Sequence, residues 1–261
     1  MTRDAIVAAA RPPAGQQPAF SCEHGTGCHN GAEPAVGTAP EAARSWLLIE
    51  HDGPWPAEAT DAALPGALAE LAGRAGELGV RVQLIRRPGR RPRATAEPGG
   101  PASVFAGWTA GSSPWLRRGD STALGGLSAQ LADLAAGKVP SFGAPAAAPL
   151  YLVCTHGRRD VCCARFGVPL ARALAAAHPA QVWETTHVGG HRYAANLVIL
   201  PHGLYYGPVD EVSAAAAIAA YQRAEIAPGR YRGQAGQGKG RQAADYRRMV
   251  ETGAYGLSEL Q

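Results

Sequence analysis

The sequence predicts an α/β protein of two tandem lobes, each a mixed sheet with helices on its faces. Three observations carry this. Hydrophobic residues are 46% of the 261, enough to bury a sizeable core. Short apolar or alternating runs of strand length interchange with longer stretches of helical period. The order of these elements then recurs, with a repeat of roughly 100 residues. Gly and Pro, at 33 and 21 residues, are abundant but below the level of a disordered chain.

Residues 1–43 are rich in Pro, Gly, Ala and small polar residues without a persistent period, and read as an irregular lead-in. The first lobe spans 44–137. Residues 47–51 (LLIEH) read as a buried strand, broken by Asp52, Gly53 and Pro54. Thr60 would cap a helix to about residue 78, with Pro65 near its first turn and Leu64, Leu68, Leu71 and Leu78 as its apolar stripe. Residues 80–85 (VRVQLI) alternate as a strand does. Residues 103–108 and 114–116 read as strands joined by a Gly/Ser turn, and 122–136 as a helix. A linker occupies 138–148.

The second lobe spans 149–226. Residues 150–154 (LYLVC) form a strand, and Asp160 caps a helix to 177 that Pro169 should kink or interrupt. Residues 182–185 form a strand. Residues 196–200 and 204–206 form a hairpin, and Asp210 caps a helix through 221. Each lobe thus reads strand, helix, strand, hairpin, helix, the order of a thioredoxin-like layer. Residues 227–261 read as a Gly-rich tail with a short helix from 241 to about 252.

Composition narrows the function. Charged residues are 18% and the net charge is +4. Five positive charges sit in one stretch, RRPGRRPR at 86–93. The remainder is close to neutral, which argues against a nucleic-acid partner. The stretch reads as a solvated loop, with an acidic partner as its functional alternative. Apolar runs are too short for a membrane span, and the apolar stretch at 5–10 is too short for a secretory signal. Five cysteines, an odd number with two adjacent, do not resemble a secreted disulfide framework. The expectation is a cytoplasmic protein using cysteine for metal or redox chemistry.

The second lobe holds the chemistry. Cys154 ends its first strand, and Cys162 and Cys163 open the following helix. A thiol there feels the positive end of the helix dipole, which favours the thiolate that binds metal; Arg158 and Arg159 push the same way. The next strand leads into His187-Val188-Gly189-Gly190-His191, where the paired glycines argue for a loop. The topology brings Cys154, the cysteines at the helix start and the two histidines to one edge of the sheet. Two thiolates and two imidazoles suit tetrahedral zinc or a [2Fe–2S] cluster with a histidine pair on one iron. The wide gap, C-x8-C counted to Cys163, suits the two-iron group better. Helix geometry does not choose between Cys162 and Cys163.

The runs VCTHGRRDVCC and ETTHVGGHRYAANLVILPHGLYYGPV resemble the sucrase/ferredoxin-like family. Supporting matches lie in Cys22-Glu23, Glu33-Pro34, Gly37-Thr38-Ala39, Glu50-His51 and Gly53-Pro54-Trp55. The resemblance implies a thioredoxin-like ferredoxin lobe with a [2Fe–2S] cluster ligated by Cys154, Cys163, His187 and His191. It chooses Cys163 over Cys162.

The expected function is one-electron transfer to or from a redox partner protein, with an outward imidazole N–H coupling electron to proton uptake. An electron carrier is expected in preference to an enzyme with its own substrate. The rivals are a zinc-stabilised thioredoxin-like binding domain and a thiol–disulfide oxidoreductase, the latter weakened because the chain has no C-x-x-C. His156 reads as a loop residue on the surface, or alternatively as a hydrogen-bond donor to a sulfur. His24, His29, His51, His178 and His202 read as surface or turn residues. Cys22 and Cys28, spaced C-x5-C, have a disulfide and a second metal site as their functional alternatives, and no role as the preferred reading. No phosphate-cradling loop or nucleophile elbow is present.

Overall fold

The computed structural model describes residues 35–89 and 100–260. Residues 1–34 of the lead-in, with Cys22, His24, Cys28 and His29, therefore lie outside the described residues, as do residues 90–93 of the Arg-rich stretch. The architecture is mixed α/β: among the described residues ten strands form one sheet, and six α-helices pack around it.

The first half of the chain supplies β1 (Ser45–Glu50), α1 (Gly66–Glu77), β2 (Arg81–Arg86), β3 (Ser103–Trp108), β4 (Trp115–Asp120), α2 (Gly125–Ala129), α3 (Leu131–Ala135) and β5 (Ala144–Pro145). The second half supplies β6 (Leu150–Cys154), α4 (Val161–Ala177), β7 (Val182–Thr185), β8 (Leu197–Leu200), β9 (Leu204–Tyr206), α5 (Glu211–Gln222), β10 (Tyr231–Gln234) and α6 (Lys239–Thr252). Along the sheet the order is β10-β9-β8-β6-β7-β2-β1-β3-β4-β5. Within the first half, β1 runs parallel to β2 and antiparallel to β3. Within the second, β6 runs parallel to β7 and antiparallel to β8. The halves meet where β2 pairs antiparallel with β7, through Ile85–Thr185 and Arg86–Glu184.

Strand alternation divides the core. Leu47 and Ile49 of β1 face α1, α2 and α3, whereas Tyr151 and Val153 of β6 face α4 and α5. Trp46 and Leu48 join Leu150, Leu152 and Cys154 in a cluster that crosses from one half to the other. Cys154 therefore belongs to an interior that both halves build.

Several elements differ from the sequence expectation. Thr60 lies in a 3-10 turn, Ala59–Asp61, and α1 starts only after Pro65, whose ring suits a helix start. The 122–136 segment divides at Gln130 into α2 and α3. A Cβ on Gly126 would lie 1.9 Å from the Ser141 carbonyl oxygen, so the following chain closes directly onto this helix. Pro169 does not interrupt α4; it occupies an exposed position within the helix. Asp160 and Asp210 cap their helices, accepting from the Cys162 and Ser213 peptides. The glycine-rich segment after residue 226 adds β10 to the sheet beside β9. No helix among the described residues is long and apolar enough to cross a membrane.

Candidate metal centre

Parallel pairing of β6 and β7 places Cys154 opposite Thr185. His187 follows two residues later, so the register alone delivers an imidazole beside the thiol that ends β6. The second thiol comes from α4. The Asp160 side chain accepts from the Cys162 peptide at 2.8 Å, and the Asp160 carbonyl accepts from the Cys163 peptide at 3.1 Å, which fixes the first turn. Gly167, one turn on, lies against the end of β6. A Cβ there would sit 1.9 Å from the Cys154 carbonyl oxygen, so only glycine lets helix and strand approach this closely.

The result is a group of three: Cys154, Cys163 and His187 present ligand atoms within 4.8 Å of one another. Cys163 Sγ lies 3.6 Å from His187 Nδ1. Cys154 and Cys163 are not in disulfides, and both are fully buried. Cys162 is disulfide-bonded. The Cys154 thiol is held well below the ordinary thiol range. Its hydrogen bond with Cys163 contributes most, and contacts with His187 and the His156 peptide add to it; together they outweigh the effect of burial.

His191 stands beside this group. Its ring centroid is 6.3 Å from that of His187, with the planes inclined by 36°. Its side chain is 46% exposed, and Nδ1 lies 3.8 Å from the Asp160 carboxylate. One aspartate thus caps the cysteine-bearing helix and meets the outer histidine.

The loop between the histidines is held by side chains at four successive carbonyls. The His187 carbonyl accepts from Arg81 at 3.1 Å and Gln83 at 3.3 Å. The Val188 carbonyl accepts from the Tyr205 hydroxyl at 3.2 Å. The Gly189 carbonyl accepts from Arg232 at 3.2 Å, and that of Gly190 from Asn196 at 3.0 Å. Gly190 has φ +73°, and a Cβ there would fall 2.3 Å from an Arg232 nitrogen. Both constraints require glycine.

His156 is buried, so the surface reading of this residue is corrected. Its Nδ1 accepts from the His187 peptide at 3.1 Å, which leaves Nε2–H to donate to the Pro56 carbonyl at 2.7 Å. Burial lowers its pKa first, favouring this neutral tautomer. His51 is likewise buried rather than a surface residue; burial lowers its pKa too, and its carbonyl accepts from Trp55. His178 ends α4 and His202 hydrogen-bonds the Tyr221 hydroxyl; neither belongs to the group of three.

Arg81, Gln83, Asn196 and Arg232 were not singled out from sequence. Asn196 opens an otherwise apolar strand, NLVIL, and this polar residue was a usable signal. Arg232 gave none.

Chemically, two buried thiols and an imidazole make a soft donor set for zinc or an iron–sulfur group. The fit is supported by the 4.8 Å spread of the three side-chain atoms and by a second imidazole, His191, adjoining them. A family model described as Sucrase/ferredoxin-like matches residues 36–233. No curated protein and no solved structure matches the chain.

Proposed function

The chain belongs to the sucrase/ferredoxin-like family, and from that premise we propose that it is a one-electron carrier holding a [2Fe–2S] cluster through Cys154, Cys163, His187 and His191. The observation that carries this reading is the close group Cys154, Cys163 and His187, two of its members fully buried thiols. When bound, the cluster supplies a site for one electron. Cys154 and Cys163 would hold the inner iron, and His187 and His191 the outer one. The exposure of His191 then makes its imidazole the point of approach for a redox partner protein. Neutral imidazoles in place of two thiolates set the potential above that of a plant-type ferredoxin.

The two-lobe reading belongs to this proposal. The halves, 44–137 and 149–226, share the strand order 2-1-3-4 with the same parallel and antiparallel pairings. That order supports a thioredoxin-like lobe in each.

Anaerobic purification followed by iron and sulfide analysis tests the assignment, with EPR of the reduced protein. Two irons and two sulfides per chain and a Rieske-like signal are expected. A second reading has the same compact donors in its favour: one ion would also be reached by all three. A colourless protein containing one zinc and no sulfide would establish that reading and end the electron-carrier one.

A further inference from the structure

Arg232 on β10 is a buried cation that meets no buried carboxylate among the described residues. Its side chain is almost wholly enclosed. Its hydrogen bonds go to the Thr38 hydroxyl and carbonyl, the Gly189 carbonyl and the Asn196 side-chain oxygen, all of them neutral. The guanidinium also lies 4.7 Å from the Tyr193 ring centroid and 5.5 Å from that of Tyr205. Among the described residues no carboxylate pairs with it. Burial lowers its pKa to about 10, so it carries its charge at neutral pH. An enclosed, unpaired cation is costly unless a nearby negative group offsets it. Its fork grips the His187–His191 loop at Gly189, and the charges that act on it are those of Tyr205, Tyr193, Arg192 and, from the group of three, Cys154.

We propose that Arg232 is the built-in counter-charge of the metal centre, fixed beneath the His187–His191 loop to favour the electron-loaded state. This rests on the cluster reading above. Two ferric ions, two sulfides and two thiolates balance to zero charge, with the imidazoles neutral. One electron taken from a reductant leaves the site with a single negative charge. A fixed positive charge in a low-dielectric interior stabilises that charge. Asn196 is part of the device, because it accepts from Arg232 and donates to the Gly190 carbonyl.

The test uses the full chain, dithionite as reductant and spectroelectrochemical titration, with iron and sulfide counted in every sample. Arg232→Met should retain the cluster and lower the reduced-to-oxidised ratio at a fixed potential about tenfold, which is ~59 mV for one electron. Arg232→Lys, which keeps the charge, should recover most of that loss. Asn196→Asp, which sets a carboxylate against the guanidinium, should shift the ratio in the same direction as Arg232→Met. A loaded Arg232→Met protein with an unchanged midpoint overturns the proposal. If Arg232→Met does not fold, an unchanged midpoint in Asn196→Asp overturns it instead. A wild-type chain lacking iron and sulfide removes the cluster reading and this inference together, whereas a loaded wild type with unresponsive variants removes this inference alone.

Discussion

The ends of β1 and β6 occupy equivalent places in the two halves. Glu50 lies opposite Ile85 and Cys154 opposite Thr185. In both cases the next peptide donates to the partner strand's carbonyl: His51 to Ile85 at 2.9 Å, and Thr155 to Thr185 at 3.1 Å. Glu50 is thus the counterpart of Cys154. It spends its carboxylate on the Ser103 peptide, while Cys154 meets a thiol and an imidazole. The backbone is common and the chemistry is local. Yet the first half is not idle scaffold, because Arg81, Gln83 and the Pro56 carbonyl hold the His187–His191 loop and its His156 support. The candidate site takes its thiols and imidazoles from one half and its framework from both.

The sharpest way to break this comparison is at the paired strand ends. Cys154→Ser and Cys163→Ser should each reduce bound metal by about 100-fold or more, measured as metal per chain, since a hydroxyl is a poor replacement for a soft thiolate. Glu50→Gln should leave metal content unchanged. A metal loss in Glu50→Gln equal to that of the cysteine variants would erase the distinction between the halves.

Next comes a pair of helical glycines. Gly167→Ala drives a methyl into the Cys154 carbonyl and should destabilise the protein by about 3 kcal/mol. Gly73, within α1, has nothing within 4 Å of its would-be Cβ, so Gly73→Ala should stabilise by roughly 0.5–1 kcal/mol. Urea unfolding measures both. Equal effects would show that the close approach of α4 to β6 is unimportant.

The smallest effect sharpens the framework claim. Gln83→Leu removes a donor to the His187 carbonyl and an acceptor for the Thr185 and Thr186 hydroxyls. Metal affinity should fall about tenfold, the scale of losing a group that orients a ligand. Competition with a chelator reads it. Unchanged affinity would return the first half to the status of scaffold.

These contrasts also show how much could be read from sequence. The strand at 150–154, its Asp160-capped helix and the hairpin at 196–206 carry strong local signals, and the structure forms all three. Cys154, Cys163 and His187, which the fold brings together, were visible because thiols and imidazoles are scarce. β10 was hidden because YRGQ has no apolar alternation. It pairs through a register shift at Gly233, whose φ is +131°, and such an irregular edge strand depends on its neighbour. His156 looked like a surface residue because both its ring partners come from elsewhere in the chain, Pro56 being 100 residues away. Arg232, Arg81 and Gln83 were hidden for the same reason: side chains that converge only after folding leave no spacing to count.

The seam between β2 and β7 bears on any attempt to engineer a smaller version. Two residue pairs and the partly buried Arg86–Glu184 contact at 2.8 Å join the halves there. A polypeptide trimmed to begin near β6 would expose β7 as a bare sheet margin, an invitation to self-association. It would also strand Glu184 without its cation. Miniaturising this molecule therefore means redesigning that margin rather than simply cutting beside it.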